Sequence, residues 1–300
     1  MLCAAIDIGS NTTRVLVAEP QDGQLRKVME QRAYTRIGKS LERGTIPGRK
    51  LEEVAEVAAT QVRLAEEVGA EAIRVVATSA VREATNCDDA AARIRRATGH
   101  QVDVLSEGEE GRLAFLGATK TLGHPVGGNV AVVDVGGGST EICFGTTAQG
   151  AREVRSFRIG SGTLAADLVG CDPPAPAEVR RMRDRIDEFF EDVELKRPDQ
   201  AVAVGGSATS LRTLVGSVLE YETLERGVRL LCGAPAAEVG RRFELDSRRV
   251  ELLPAGILIL EKVSELLGQP LQIGKGGLRE GIVLDLLGSS GERRPGLRAA

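Results

Sequence analysis

Two short glycine-rich segments follow apolar runs that end in aspartate. Gly9-Ser10-Asn11-Thr12 comes just after Asp7, and Gly136-Gly137-Gly138-Ser139 comes just after Asp134. Turns of small residues let backbone N–H groups face an anion without a Cβ in the way, and hydroxyl groups add donors. An aspartate at each strand end can hold Mg²⁺, which proteins bind with few carboxylates plus phosphate oxygens. One such turn is usually an ordinary hairpin, but two in equivalent positions favour phosphate binding.

A third glycine-rich segment, Gly205-Gly206-Ser207, follows the apolar run at residues 201–204. It reads as a strand that passes through two glycines into the start of a helix, where free N–H groups can meet an anion. Alone, this pattern is more often a structural turn. Beside the other two segments, it predicts a third phosphate contact.

The spacing of apolar residues predicts the elements that position these segments. Three strands are expected between residues 2 and 37, followed by helices at 50–68, 88–98 and 109–122 with strands at 72–77 and 102–105. Further strands are expected at 129–134, 141–146, 153–159 and 201–204, and helices at 178–195, 252–267 and 278–287. The first glycine hairpin, at residues 4–12, is repeated at 131–140, which predicts a duplicated fold with a cleft between its halves. A turn-rich break at residues 124–128 divides the sequence into domains at 1–125 and 126–288, with a disordered tail at 289–300.

Composition excludes several classes of protein. The 300 residues carry 39 Lys and Arg against 43 Asp and Glu, a net charge of −4, whereas nucleic-acid binders usually have a basic domain. A small site can still be locally basic. The five cysteines are scattered without a C-x-x-C pair, and no apolar run approaches the ~18 residues of a membrane span. We therefore expect a cytoplasmic protein that contacts neither nucleic acid nor membrane.

Taken together, these segments resemble the actin, heat-shock-70 and sugar-kinase superfamily, and within it the exopolyphosphatase and guanosine-pentaphosphate phosphatase family. The resemblance is carried by DIGSNT at residues 7–12, ATSAVREATN at 77–86, SEGEEGRL at 106–113, DVGGGSTE at 134–141, LPAG at 253–256 and LREGI at 278–282. Two features depart from the family pattern: Gly111 stands where Ala is usual, and longer members continue into helical domains. The resemblance implies an α/β fold of two actin-like (ribonuclease H-like) domains with a catalytic cleft between them.

The resemblance also assigns roles to individual residues. Glu110 matches the catalytic carboxylate that orients or deprotonates the attacking water. Asp134 and Glu141 match the metal ligands, with Asp7 as a further partner, and the implied metal is Mg²⁺, for which Mn²⁺ can substitute. Asn11 and Arg82 match phosphate contacts, because arginine grips phosphate oxygens bidentately. A homodimer is implied as well.

The expected function is that of an exopolyphosphatase, which releases terminal orthophosphate from inorganic polyphosphate by metal-assisted attack of water. Short chains should be preferred, because no patterned basic extension follows Leu287. A guanosine pentaphosphate 5'-phosphatase remains open, although no guanine-reading segment is identified. An actin-like small-molecule kinase or a non-catalytic nucleotide-sensing module also remains open.

Overall fold

The structure is a computed structural model that describes residues 1–124 and 126–292. Within these residues the strands are β1 (Cys3–Ile8), β2 (Thr13–Gln21), β3 (Gln24–Ala33), β4 (Ala72–Ala77), β5 (Val102–Val104), β6 (Val130–Val135), β7 (Thr140–Thr146), β8 (Gly150–Phe157), β9 (Gln200–Val204), β10 (Val218–Leu219) and β11 (Leu271–Ile273). The helices are α1 (Ile37–Ser40), α2 (Gly48–Glu67), α3 (Ser79–Arg82), α4 (Cys87–Thr98), α5 (Glu107–Lys120), α6 (Ser161–Leu168), α7 (Pro176–Phe190), α8 (Gly205–Val215), α9 (Tyr221–Leu231), α10 (Ala236–Phe243), α11 (Ser247–Val250), α12 (Leu253–Leu267) and α13 (Leu278–Glu292).

The strands form two mixed sheets of the same design. The first has the order β3-β2-β1-β4-β5 and the second the order β10-β11-β9-β6-β7-β8. In each sheet an antiparallel three-stranded meander, β1-β2-β3 or β6-β7-β8, is extended by two parallel strands on the side of its first strand. The second sheet has one more strand, β10, which is antiparallel to β11 at its edge. The repeat seen in the sequence is therefore a repeat of the fold. The predicted α/β architecture with two actin-like units is confirmed.

Strand β1 shows why the central strands read as unbroken apolar runs. Its side chains alternate between two cores, as successive residues of a strand must. Ala4, Ile6 and Ile8 pack with α2 and α4 on one face of the sheet. Cys3 and Ala5 pack on the other face against residues of α5 and α13. Because both faces are covered by helices, β1 is apolar except at Asp7, which lies near its carboxyl end and lines the cavity described below.

Helix α13 packs against the first sheet, although it follows the strands of the second sheet in the chain. Its residues Ile282 and Val283 are fully buried in the core that contains Leu16 of β2. The two-domain division at residues 1–125 and 126–288 remains a prediction, but the last helix of the second segment packs on the first half. This helix continues to Glu292, past the predicted start of the tail at residue 289, and residues 293–300 lie outside the described part of the chain.

Several elements go beyond the predicted ones. Helices α6, α9 and α10 and strand β11 complete the second half around α12, whose apolar surface is buried on nearly all sides. The five cysteines are unpaired. In the part of the chain that is described, no helix is both long and apolar enough to span a bilayer.

Candidate active site

A cavity of about 350 Å³ lies where the strand ends of the two sheets face each other. It is within the size range of small-molecule sites. Both glycine hairpins line it, together with the glycines after β9 and the segment that leads into α13. Its lining is mostly polar and charged. The site therefore requires both halves of the duplicated fold.

The β1–β2 hairpin is held in a tight turn. The Gly9 N–H donates to the Thr12 carbonyl at 3.0 Å. The carbonyls of Ser10 and Asn11 accept from the N–H groups of Gly38 and Arg36, so the loop is anchored from outside the cavity. The Nδ2 of Asn11 is buried and has no hydrogen-bond partner. A buried donor without a partner is costly, so this amide is positioned for a ligand or water.

The β6–β7 hairpin repeats this turn. The Gly136 N–H donates to the Ser139 carbonyl at 2.9 Å, and the first N–H groups of α6 donate to the carbonyls of Gly136 and Gly137. The hairpin lies close to the other loops: a Cβ on Gly138 would come within 2.8 Å of the Ser10 Oγ and 2.9 Å of the Ser79 Oγ. A side chain at position 138 would therefore crowd the hydroxyls of Ser10 and Ser79. The two hairpins thus form one continuous rim.

Six carboxylates line the cavity, and four of them were predicted as site residues: Asp7, Glu110, Asp134 and Glu141. Asp134 of β6 stands directly opposite Glu141 of β7, although like charges facing each other across strands are destabilising. Burial, and then the nearby Asp7, raises the pKa of Asp134 to about 6. Burial, and then Glu110 and Asp134, raises the pKa of Glu141 well above its ordinary value. The fold therefore holds negative charge at a cost, which a bound cation would offset.

The donor set fits Mg²⁺ completed by a phosphate ligand. Among the described residues, no group of three or more His, Cys, Asp or Glu is arranged to hold a metal by itself. Mg²⁺ does not need such a cage, because it is usually held by one or two carboxylates together with water and substrate phosphate. The Oδ1 of Asp7 is buried without a partner, and Asp134 and Glu141 face the same cavity. One or two of these carboxylates could hold the ion, with water and phosphate oxygens as its other ligands.

Glu110 is placed by the start of α5. The Ser106 side chain caps this helix by accepting from the Glu109 N–H at 3.2 Å, which fixes the first turn. The Oε2 of Glu110 accepts from Arg82 Nη1 at 2.7 Å, and the same nitrogen donates to the Leu105 carbonyl at 2.8 Å. Burial raises the pKa of Glu110 to about 7, against the opposing effect of Arg82. A carboxylate with a pKa near neutrality is suited to general base catalysis.

Six cations line the cavity, and none was predicted as a site residue: Arg14, Lys27, Arg32, Arg249, Lys275 and Arg279. The Nε atoms of Arg14 and Arg249 are buried without partners. Burial is the largest cause that lowers the pKa of Arg14 to about 9 and that of Arg249 to about 10. Both guanidiniums are largely removed from water, and each keeps an Nε donor that is available to an anion.

The duplication contains a signal for Arg14. In the first hairpin Asp7 pairs with Arg14, and in the second Asp134 pairs with Glu141 at the same register position. Arg14 in the first half thus occupies the position that Glu141, a predicted metal ligand, occupies in the second half. Arg279 lies within the LREGI segment, but no spacing in the sequence assigns it a role. For Arg249 the sequence offers no signal.

Glu30 of β3 organises two of these cations. It accepts from Arg14 Nη2 at 2.7 Å and from Arg279 Nη1 at 2.8 Å, and Lys27 is 3.5 Å away. Although burial opposes ionisation, Arg279, Arg14 and Lys27 lower the pKa of Glu30 to about 2. Glu30 therefore stays ionised and fixes both guanidiniums in the cavity wall.

The structure brings most of the predicted site residues together. Those that line the cavity are Asp7, Gly9, Ser10, Asn11, Thr12, Glu110, Asp134, Gly136, Gly137, Gly138, Ser139, Glu141, Gly205 and Gly206. Two do not. Arg82, expected at a phosphate, lies behind Glu110 and pairs with it. Ser207 is fully buried with its Oγ unpartnered, near Gly256, so its hydroxyl does not reach the cavity.

The chain is similar in sequence and in fold to known proteins. The sequence model of the Ppx/GppA phosphatase family matches residues 16–290. Exopolyphosphatase 1 of Mycobacterium leprae is 28% identical over 97% of this chain and 91% of its own length. The guanosine-5'-triphosphate,3'-diphosphate pyrophosphatase of Aeromonas hydrophila is also 28% identical, over 96% of this chain but 60% of its own length. The crystal structure of the Aquifex aeolicus member of the Ppx/GppA family superposes with a TM-score of 0.80, at 32% identity, covering 98% of this chain and 99% of that one.

Proposed function

Because the chain belongs to the Ppx/GppA phosphatase family, we propose that it is an exopolyphosphatase that releases terminal orthophosphate from inorganic polyphosphate. One observation carries the proposal. Three buried donors, on Asn11, Arg14 and Arg249, and one carboxylate oxygen, on Asp7, lack partners, and all four residues line the same cavity. Donors of this kind suit phosphate oxygens, and the carboxylate oxygen suits a cation.

In this proposal each group has one task. The two hairpins turn their N–H groups and hydroxyls toward the terminal phosphate, and Arg14 and Arg249 hold further phosphate oxygens. Glu110 accepts a proton from the water that attacks the terminal phosphorus, in line with the leaving chain. Asp134 and Glu141, with Asp7, hold Mg²⁺, or Mn²⁺ in its place, which when bound neutralises charge on the phosphate oxygens. Arg82 acts on Glu110 rather than on phosphate.

Inorganic polyphosphate is favoured over guanosine pentaphosphate by the chemistry of the lining. None of the described residues that line the cavity is aromatic. Aromatic side chains are the usual platform for a nucleobase, and stacking on them contributes about 1–3 kcal/mol per base. The alternative is supported by the Aeromonas relative, whose name specifies a guanosine substrate.

Rates on different substrates test the proposal. Orthophosphate release is measured with Mg²⁺ on tripolyphosphate, long-chain polyphosphate and guanosine pentaphosphate at equal concentrations of chain ends. We expect release from both polyphosphates at a higher kcat/KM than from the nucleotide, with tripolyphosphate at least as good as the long chain. A higher kcat/KM for guanosine pentaphosphate would support the alternative function, and a strong preference for long chains would contradict the short-chain expectation.

We also infer that the protein is a cytoplasmic homodimer. The unpaired cysteines are in keeping with a reducing compartment. Light scattering during size-exclusion chromatography measures the mass in solution, and a mass of one 31.8 kDa chain would contradict the dimer.

A further inference from the structure

The two glycines that follow β9 face different groups. Gly205 has a positive φ of 81°, a backbone conformation that L side chains rarely adopt. A Cβ at this position would overlap the Oδ1 of Asp134 and would lie 3.1 Å from its Cγ. The space that a side chain would fill is thus the space that the Asp134 carboxylate occupies. Asp134 is half-buried and lines the cavity, so a side chain at position 205 would displace its carboxylate from its present place in the cavity wall.

The next residue, Gly206, lies against a cation instead. A Cβ here would come within 2.5 Å of Nη2, 2.8 Å of Cζ and 2.9 Å of Nη1 of Arg249. The guanidinium therefore lies directly against Gly206. Arg249 is 7% exposed and its Nε has no partner, so its position in the cavity wall is set by what it packs against. A methyl group on Gly206 must push the guanidinium away.

We propose that this glycine pair positions two functional side chains rather than binding phosphate itself: Gly205 sets the Asp134 carboxylate for the metal, and Gly206 sets Arg249 for phosphate. The inference rests on the proposed function, which makes Asp134 a metal ligand and Arg249 a phosphate contact. It also revises the role predicted from the sequence, in which both glycines offer N–H groups to an anion. Although the two glycines are adjacent in the chain, substitution of Gly205 should weaken metal binding and substitution of Gly206 should weaken phosphate binding.

Direct binding to metal-free protein separates the two roles. Mn²⁺ binding is measured by the electron paramagnetic resonance of the free ion, and binding of tripolyphosphate alone is measured by calorimetry without divalent metal. For Gly205→Ala we expect the Kd for Mn²⁺ to rise about 10–100-fold, because changes to groups that orient a metal ligand have effects of this size. The Kd of this variant for tripolyphosphate should change less than about 3-fold. For Gly206→Ala we expect the Kd for tripolyphosphate to rise about 10-fold, because a charge-assisted bond to phosphate is weakened, and the Kd for Mn²⁺ to change less than about 3-fold.

Double variants keep the test decisive if one protein folds poorly. In an Arg249→Ala background, Gly206→Ala should have no further effect on tripolyphosphate binding. A further loss there would mean that the Gly206 backbone itself binds phosphate, which overturns the proposal. In an Asp134→Ala background, Gly205→Ala should lower the melting temperature less than it does in the wild type, since the carboxylate that it displaces is gone. An equal drop in both backgrounds would assign Gly205 to backbone conformation alone and overturn its half of the proposal.

The outcomes also distinguish this inference from the proposed function. If the wild-type protein binds both probes but each glycine variant weakens both equally, the inference fails and the proposed function stands. If the wild type binds neither Mn²⁺ nor tripolyphosphate, the proposed function is contradicted and the inference falls with it.

Discussion

Replacing Arg82 by Gln should alter the pH dependence of turnover more than the affinity for substrate. Arg82 donates to the Glu110 carboxylate at 2.7 Å and opposes the effect of burial, which leaves the pKa of Glu110 at about 7. A hydrogen bond to a charged group contributes about 1.5–3 kcal/mol, which corresponds to about 1–2 pKa units. Without Arg82, the pKa of Glu110 should therefore rise to about 8–9.

The magnitude follows from the fraction of Glu110 that is ionised. At pH 7.5, turnover by Arg82→Gln should be about 3- to 25-fold below that of the wild type, and near pH 9.5 it should recover to within about 2-fold. The assay is kcat for orthophosphate release across pH 6–10, with KM measured at each pH. Arg82→Lys, which keeps the charge, is the matched control and should shift the profile less. An unshifted profile with a large rise in KM would refute this reasoning and would return Arg82 to the role of a phosphate contact.

Three further predictions follow from the same cavity. Glu110→Gln should lower kcat about 10²–10⁴-fold. The control Glu109→Gln changes a more exposed neighbouring carboxylate, and its kcat should stay close to that of the wild type. Comparable losses of kcat in both variants would contradict the role of Glu110 as the general base. Asp134→Asn should raise the Mg²⁺ concentration needed for half-maximal activity at least about 10-fold, because an amide is a poorer ligand for a hard cation. An unchanged Mg²⁺ titration would exclude Asp134 as a ligand. Burial raises the pKa values of Glu110 to about 7 and of Asp134 to about 6, so the folded metal-free protein binds more protons than the unfolded chain as pH falls from neutrality. Its melting temperature should therefore be higher at pH 5.5 than at pH 7.5, and Mg²⁺ should stabilise it more at pH 7.5; the opposite order in calorimetry would contradict the carboxylate cluster.

The sequence predicts those parts of the fold that depend on local pattern. Strand β4 matches the predicted residues 72–77, because a short apolar run between polar turns has few other structures available. The two hairpins were predicted from their repeat, since the same turn needs the same small residues. The sequence does not delimit strand β3, because this strand is largely exposed and its charged residues hide the alternation of apolar and polar positions.

The site residues that the sequence does not predict are brought to the cavity by tertiary contacts. Arg249 of α11 lines the cavity and packs on Gly206, which is more than forty residues earlier in the chain. The sequence motif predicts Arg82 as a phosphate contact, whereas in the structure its Nη1 donates to Glu110 and its Nη2 is buried without a partner. The departure at Gly111 also has a spatial reason: a Cβ there would lie 2.5 Å from Val154 and 2.7 Å from Cys143, so α5 packs more closely on β7 and β8 than an alanine would permit.

The central claim is that this cavity directs water to the terminal phosphorus of a phosphoanhydride. Hydrolysis of tripolyphosphate with Mg²⁺ in oxygen-18-labelled water, followed by mass spectrometry of both products, tests it most directly. The account predicts that the label enters the released orthophosphate and not the remaining diphosphate, and that Glu110→Gln slows its appearance without changing its position. Label in the diphosphate, or loss of the terminal phosphate to an organic acceptor without incorporation of label, would contradict it.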